Sequence, residues 1–129
     1  MDEEARRQFA LDLGRRVAGK EPVPFREVSH GRWRPLAQQC HTNVHQWVSY
    51  HPEHRAVQGF RFVPRPALSA CAFYAHTVVE DEAGNLFDIT PGSLAAPFVH
   101  HTGSLEDFAE LARGIVLLLP VARAPQNPE

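Results

Sequence analysis

The chain has 129 residues, of which 43% are hydrophobic and 22% charged. These proportions are typical of one globular domain whose core needs no disulfide or metal to hold it. The net charge of −2, without a block of like charges, excludes a basic or acidic tail, so nucleic acid is not an expected partner. The longest apolar run, residues 115–121, is too short to cross a membrane, and no secretory signal is legible. A cytoplasmic location without membrane association is therefore expected, with Cys40 and Cys71 as free thiols.

Apolar spacing predicts two helices in the first half of the chain. The first covers residues 3–19, where apolar side chains recur every fourth position, and Gly19 is its predicted C-cap. Residues 21–35 contain three prolines, which forbid a regular helix and predict a structured loop. A second apolar stripe predicts a helix over residues 39–50, which places Cys40 in the first turn.

The second half of the chain is rich in patterns typical of β-strands. Three strands are predicted, of which the last two form a hairpin, and a helix and a buried strand follow them. In chain order these elements cover residues 56–63, 70–79, 86–90, 104–113 and 115–119. Residues 125–129 are predicted to be disordered. No repeat or linker divides the rest, so residues 1–124 are predicted to form a single α+β domain.

Three residues have the chemistry that nucleophilic catalysis requires. Cys40 opens the second predicted helix, where the partial positive charge of the N-terminus lowers the pKa of a thiol. His76 lies on a predicted strand, and Asp88 lies on the next one. A histidine within reach of a thiol acts first as general base and then as general acid, while a carboxylate fixes the tautomer of its ring.

The register of the predicted hairpin decides whether His76 and Asp88 can meet. If Asp81 pairs with Asn85 across the turn, the numbers of paired residues add up to 166. His76 and Asp88 then lie on the same face of the sheet as diagonal neighbours, about 7 Å apart at Cα. A register shifted by one residue would place them on opposite faces.

These segments together resemble a known superfamily. The chain reads Cys-His-x-Asn-Val at residues 40–44, His-x-Val-Val at residues 76–79 and Asp-Ile-Thr-Pro at residues 88–91. A Cys at a helix start, followed by His and Asp on neighbouring strands, resembles the transglutaminase-like branch of the papain-like cysteine enzymes. This sequence pattern is similar to that of small uncharacterised bacterial proteins. The resemblance covers residues 40–91, roughly two-fifths of the chain.

The resemblance implies a papain-like or transglutaminase-like core, in which the nucleophile helix packs on a small antiparallel sheet. It also implies acyl chemistry on a peptide or small amide, without a cofactor, in a peptidase, a deamidase or a transglutaminase-like enzyme. By the same resemblance, Cys40 would be the nucleophile, His76 the base and Asp88 the carboxylate that orients the base.

The resemblance is weakest at the oxyanion hole and the pocket walls. Many papain-like enzymes place a Gln shortly before the Cys, where this chain has Arg34. Gln38, Gln39 or the backbone N–H of the cysteine could take its place. Asn43 and Trp47 lie on the nucleophile helix and are further candidates for lining a substrate pocket.

A different class of function rests on His41 and His45. Their four-residue spacing on one helical face suits two ligands of a Zn²⁺ ion, with Cys40 or His76 as a third. No acidic residue lies between them to act as a general base, and a polar helix face is the simpler interpretation. The alternative function is a zinc-binding or catalytically inactive binding module.

Structural roles are also open for the candidate catalytic residues. Cys40 could be a small core residue, and Asp88 could hold the turn before Pro91 through backbone hydrogen bonds. Cys71 is expected to be inert. The remaining histidines lie in predicted loops and need no special role, and most of those after residue 50 are expected to be exposed: His30, His51, His54, His100 and His101.

Overall fold

The computed structural model describes residues 3–65, 67, 70–112 and 117–120. In chain order its elements are α1 (Glu3–Val17), α2 (Cys40–Tyr50), β1 (Arg55–Arg65), β2 (Ala70–Glu80), β3 (Leu86–Phe87), β4 (Phe98–His100), α3 (Leu105–Ala112) and β5 (Leu117–Pro120). They form an α+β fold in which helices pack on an antiparallel sheet. No helix in this part of the chain has the length and apolar surface that a membrane crossing requires.

Each element predicted from the sequence has an observed counterpart, with bounds that differ by one to a few residues. As predicted, Cys40 lies in the first turn of α2. Gly19, with a φ of +76°, follows the end of α1, in the left-handed conformation that a glycine after a helix favours. The predicted disordered tail, residues 125–129, lies outside the described residues.

Two strands differ from the prediction. β4 was not predicted, because three residues are too few to show a clear alternation. β3 ends at Phe87 instead of residue 90, because the chain leaves β2 there and pairs with an earlier loop. The Asp88 amide donates to the carbonyl of Pro24 over 2.8 Å, and the Arg26 amide donates to the carbonyl of Asp88 over 2.9 Å.

The sheet has the order β3-β2-β1-β4, with β5 also paired to β2. β1 and β2 form an antiparallel ladder along their full lengths. On the other side of β2, β3 pairs with Val79 and Glu80, while β5 pairs with residues 70–73. Among the described residues, no strand lies beside residues 74–78 on that side. This interruption, the open edge of β2, is where the candidate site forms.

The two faces of the sheet are covered by different elements. On one face α1 and α3 bury the main core, which contains Ala10, Leu13, Phe60, Phe73, Val99 and Phe108. On the same face, α2 contributes to a second cluster of Val44, Trp47, Val79, Phe87 and Ile89. The opposite face has a smaller cluster of Val57, Val78 and Phe98, against which Val23 packs. By strand alternation, His76 and Arg61 lie on this less covered face.

Gly59 allows β4 to approach β1 closely beside the candidate site. A Cβ atom at this position would lie 2.1 Å from the Val99 carbonyl oxygen and 2.5 Å from the Phe98 ring. Gly59 is also the partner of His76 in the β1–β2 ladder. A side chain at residue 59 would therefore displace the backbone directly opposite His76.

Candidate active site

The first turn of α2 lies at the open edge of β2. Cys40, the first residue of α2, lies beside His76 in the lining of one cavity, and each side chain shifts the pKa of the other. The next residue, His41, shares a hydrogen bond between its Nδ1 atom and the Thr77 hydroxyl. Because neighbouring residues of a strand point to opposite faces, these contacts lie on the two sides of β2. The start of α2 therefore straddles the edge of the strand.

His76 is bound on its other side by Asp88. Its Nε2 atom lies 2.6 Å from Asp88 Oδ2, and both residues are 5% exposed. The two pairs observed between β2 and β3 have numbers that add up to 166, which confirms the predicted register. Because Asp88 occupies Nε2, the Nδ1 atom of His76 remains to face Cys40.

The backbone holds Asp88 in position for this contact. Its Oδ1 atom accepts the Thr90 amide over 3.0 Å, while its main chain pairs with the segment around Pro24 and Arg26. Each carboxylate oxygen thus has its own partner. Asp88 can therefore hold the turn before Pro91 and bind His76 at the same time.

The surroundings of Cys40 favour its thiolate. Burial disfavours the charged form and acts to raise the pKa, but hydrogen bonds and charge from His41 and His76 outweigh it, and the pKa falls from 9.0 to about 6. Burial acts to lower the pKa of His76, yet Asp88 and Cys40 raise it above 6.5. At neutral pH the arrangement therefore favours a thiolate beside an imidazolium.

Cys40 and His76 line a cavity of about 310 Å³. Its lining consists of Ala37, Gln38, Cys40, Arg61, His76, Thr90, Pro91, Gly92 and Ser93. Gln38 adopts a φ of +63°, which is uncommon for a residue with a side chain. No side chain caps α2 at Gln39, and the first N–H groups of a helix have no partner within it. These groups are available to a carbonyl oxygen in the cavity.

The other predicted pocket residues occupy different places. Gln39 is exposed and does not line the cavity. Asn43 is buried and bridges two loops, since it exchanges two hydrogen bonds with the Leu36 backbone and donates to the Thr90 hydroxyl over 3.1 Å. Trp47 is buried in the core, further along α2. Asn43 therefore supports the cavity wall, and Trp47 anchors the helix that carries the thiol.

The histidines of the predicted zinc site have separate surroundings. His41 is half-buried against Thr77, whereas His45 is exposed. In the part of the chain that the structure describes, no group of three or more His, Cys, Asp or Glu side chains is placed to hold a metal ion. Among the described residues, none is placed as the third ligand that the zinc interpretation requires.

Sequence reasoning missed two residues of the site. His41 was interpreted as a metal ligand or as part of a polar helix face, whereas it lowers the pKa of the neighbouring Cys40 thiol; its position next to the cysteine was the available signal. Arg61 lines the cavity, and its place on the same face as His76 became visible only with the register of β1 and β2.

The opposite end of α2 forms an aromatic cluster that consists of His30, Trp47, Tyr50, His51 and His54. The rings of His51 and Trp47 stack with centroids 3.8 Å apart, as do those of His30 and Tyr50 at 4.1 Å. Trp47 Nε1 donates to His54 Nδ1 over 3.0 Å. The prediction that His51 and His54 are exposed was wrong, because packing on α2 leaves both half-buried.

Comparisons of the chain with protein-family models, with curated proteins and with solved structures gave no match. The resemblance to the transglutaminase-like enzymes therefore stays a prediction based on residues 40–91.

Proposed function

We propose that this protein is a thiol-dependent hydrolase or acyltransferase that acts on the amide bond of a peptide or small amide. Cys40 is the nucleophile, His76 transfers the proton and Asp88 orients His76. The observation that carries the proposal is the placement of Cys40 and His76 in the wall of one cavity, with His76 Nε2 held 2.6 Å from Asp88 Oδ2. If the pair of His76 and Asp88 had only a structural role, it would not require a thiol beside it at a helix N-terminus and next to a cavity.

The reaction proceeds through a thioester. The Cys40 thiolate attacks the carbonyl carbon, and the resulting oxyanion is bound by backbone N–H groups of the first turn of α2, with Gln38 as a further donor. The C–N bond breaks as the His76 imidazolium gives its proton to the leaving nitrogen. Water, or an amine acceptor, then loses a proton to His76 and attacks the thioester. Cys40 leaves as the thiolate and the acyl group departs.

Several features support this function over a passive role. A core cysteine has no need of two histidine partners, and the other cysteine of the chain, Cys71, is buried with a pKa raised by burial. Both cysteines are free thiols, which fits a reducing compartment such as the cytoplasm. The α+β architecture agrees with a papain-like or transglutaminase-like core, and we assign the protein to that class as part of the proposal.

The proposal is tested first at the thiol. The rate of alkylation of Cys40 by iodoacetamide is measured between pH 4 and 10, and mass spectrometry locates the adduct. We expect a midpoint near pH 6 and selective labelling of Cys40, since the thiolate is the reacting form. Cys71 is the internal control, because its raised pKa and burial make it slow. Equal, slow labelling of both cysteines would contradict the proposal.

The acyl chemistry is tested with para-nitrophenyl acetate, an activated ester. We expect a burst of nitrophenolate, an acetyl adduct on Cys40 and slow turnover. The rate of the burst should rise through about pH 6 as the Cys40 thiol ionises, since nitrophenolate leaves without a proton. The slow turnover should rise with pH through the raised pKa of His76, because only the neutral imidazole accepts a proton from the attacking water. Cys40→Ala is the matched control, and a burst that survives this change would remove Cys40 from the mechanism.

A further inference from the structure

Arg61 lies beside the candidate nucleophile on the same face of the sheet. In the β1–β2 ladder Arg61 pairs with Tyr74, while His76 pairs with Gly59. Arg61 and His76 are therefore diagonal neighbours, a relation that long side chains can span. Arg61 and His76 both line the cavity, so the guanidinium can act on whatever occupies it.

The guanidinium of Arg61 is anchored but not neutralised. One nitrogen, Nη2, donates to the Leu94 carbonyl over 3.1 Å, which connects β1 to the loop that forms the other wall of the cavity. Within the described part of the chain, Arg61 has no carboxylate partner. By contrast, Arg55 on the same strand pairs with Glu80. The remaining N–H donors of Arg61 are left for a ligand.

The guanidinium of Arg61 gives the cavity wall a local positive charge. None of the nine residues that line the cavity is acidic. The Cys40 thiolate and the buried Asp88 carboxylate behind His76 balance the two positive groups, so the attraction for an anion is local to the Arg61 guanidinium. A guanidinium matches the two oxygens of a carboxylate through paired hydrogen bonds.

We propose that Arg61 is a specificity-determining residue that binds a carboxylate group of the substrate, so that the preferred substrate is an amide carrying a carboxylate close to the scissile bond. This inference rests on the proposed function and specifies its substrate class. The carboxylate belongs either to the acyl part or to the leaving group, as in the C-terminal residue of a peptide. In either position the carboxylate is the group that the Arg61 guanidinium binds.

The first experiment uses a pair of alkylating agents that differ in charge. Iodoacetate and iodoacetamide both alkylate the Cys40 thiolate with loss of iodide, but only iodoacetate carries a carboxylate. The rate constant of iodoacetate at Cys40 is divided by that of iodoacetamide, both measured at pH 7 and low salt. This ratio reports the attraction of the site for a carboxylate. We expect Arg61→Gln to lower this ratio on the order of tenfold, the effect of removing one nearby charge. High salt should lower the ratio in the unchanged protein more than in the variant.

Two variants separate the charge of Arg61 from its structural role. Arg61→Lys keeps the charge, so its ratio should stay close to that of the unchanged protein. Arg65→Gln removes an arginine that lies on the same face of β1 but outside the cavity, and it should leave the ratio unchanged. The proposal is overturned if Arg61→Gln leaves the ratio unchanged, or if Arg65→Gln lowers it equally. A slow reaction of Cys40 with neutral iodoacetamide would instead refute the proposed function.

The second experiment locates the carboxylate. Hydrolysis of para-nitrophenyl acetate is compared with that of the para-nitrophenyl half-ester of succinate, which has its carboxylate on the acyl part. It is also compared with the acetate ester of a carboxynitrophenol, which has its carboxylate on the leaving group. We expect Arg61→Gln to raise the KM for one of the charged esters roughly tenfold more than it raises the KM for the neutral ester. Equal effects on all three esters would contradict carboxylate binding by Arg61.

Discussion

The two ends of α2 both gather histidines, but the neighbours of these histidines differ. At the N-terminal end, His76 bonds to Asp88 and lies beside the Cys40 thiol, and both groups raise its pKa. At the C-terminal end, His51 stacks on Trp47, its Nδ1 atom lies 3.4 Å from the exposed carboxylate of Glu53, and its Nε2 atom is buried without a hydrogen-bond partner among the described residues.

The difference shows that neighbours, and not the number of histidines, decide the chemistry. A buried carboxylate in hydrogen-bond contact, as Asp88 is with His76, stabilises the charged imidazolium and fixes the tautomer of the ring, whereas the exposed Glu53 beside His51 is screened by water. An indole face offers stacking and apolar contact but accepts no proton. We therefore expect changes at the N-terminal end to alter reactivity and changes at the C-terminal end to alter stability.

The largest expected effect is that of Asp88→Asn at the N-terminal end. The variant keeps an oxygen for the Thr90 amide but presents an NH₂ group to His76 Nε2. The ring proton then moves to Nδ1, which can no longer accept from Cys40. We expect acyl turnover to fall by up to about 10⁴-fold with little change in thermal stability, measured by ester hydrolysis and thermal melting. Turnover within a few-fold of the original would refute the orienting role of Asp88.

The second largest effect is expected for Trp47→Ala at the C-terminal end of α2. Removing the buried indole leaves a cavity against Val79 and Phe87 and should lower the free energy of unfolding by about 3–5 kcal/mol, measured by urea denaturation. Trp47→Phe retains a ring, loses the hydrogen bond to His54 and should cost less. While these variants remain folded, the midpoint of Cys40 alkylation should stay near pH 6. A midpoint that moves would show that the two ends of α2 are coupled.

A third test separates the two histidines at Cys40. Either His76→Gln or His41→Gln should raise the midpoint of Cys40 alkylation from about 6 toward 9.0, by roughly 1–3 pH units, because each removes a hydrogen bond and a charge that favour the thiolate. Only His76→Gln should also abolish turnover of para-nitrophenyl acetate above the new midpoint. If His41→Gln abolishes turnover and His76→Gln does not, the proton-transfer role belongs to His41.

The smallest effect is expected at His51. A buried polar atom without a partner costs about 1–3 kcal/mol, so His51→Phe, which keeps a planar ring against Trp47, should raise the free energy of unfolding by about 1 kcal/mol. His51→Ala is the matched control, because it loses the stacked ring and should destabilise the protein. A His51→Phe variant less stable than the original would show that the exposed pair of His51 with Glu53 outweighs the cost of the unpartnered Nε2 atom.

The hairpin that carries the site could be predicted because its turn is encoded locally. The Asp81 carboxylate accepts the amides of Ala83 and Asn85, and Gly84 adopts a φ of +85°. These residues fix the length of the turn, and the length fixes the register that brings His76 to Asp88. The position of Cys40 at a helix start could be predicted for a similar reason, since the apolar stripe of α2 is local.

The remaining parts of the site depend on contacts between segments far apart in sequence. Nothing near Asp88 indicates that its backbone pairs with the segment around Pro24. The position of Arg61 in the cavity follows from its partner on β2, and the burial of His51 follows from its stacking on Trp47. A single sequence shows local periodicity and turn chemistry, but these tertiary contacts override the exposure that local polarity suggests.

The position of α2 at the open edge of β2 has a consequence for aggregation. A strand edge with unpaired backbone groups is a template for pairing with another chain, and native proteins cover such edges. Here the residues that cover the edge, Cys40 and His41, are those proposed to carry out or tune the chemistry. A change that detaches the first turn of α2 would therefore expose residues 74–78 to intermolecular β-pairing. Function and resistance to aggregation depend on the same turn.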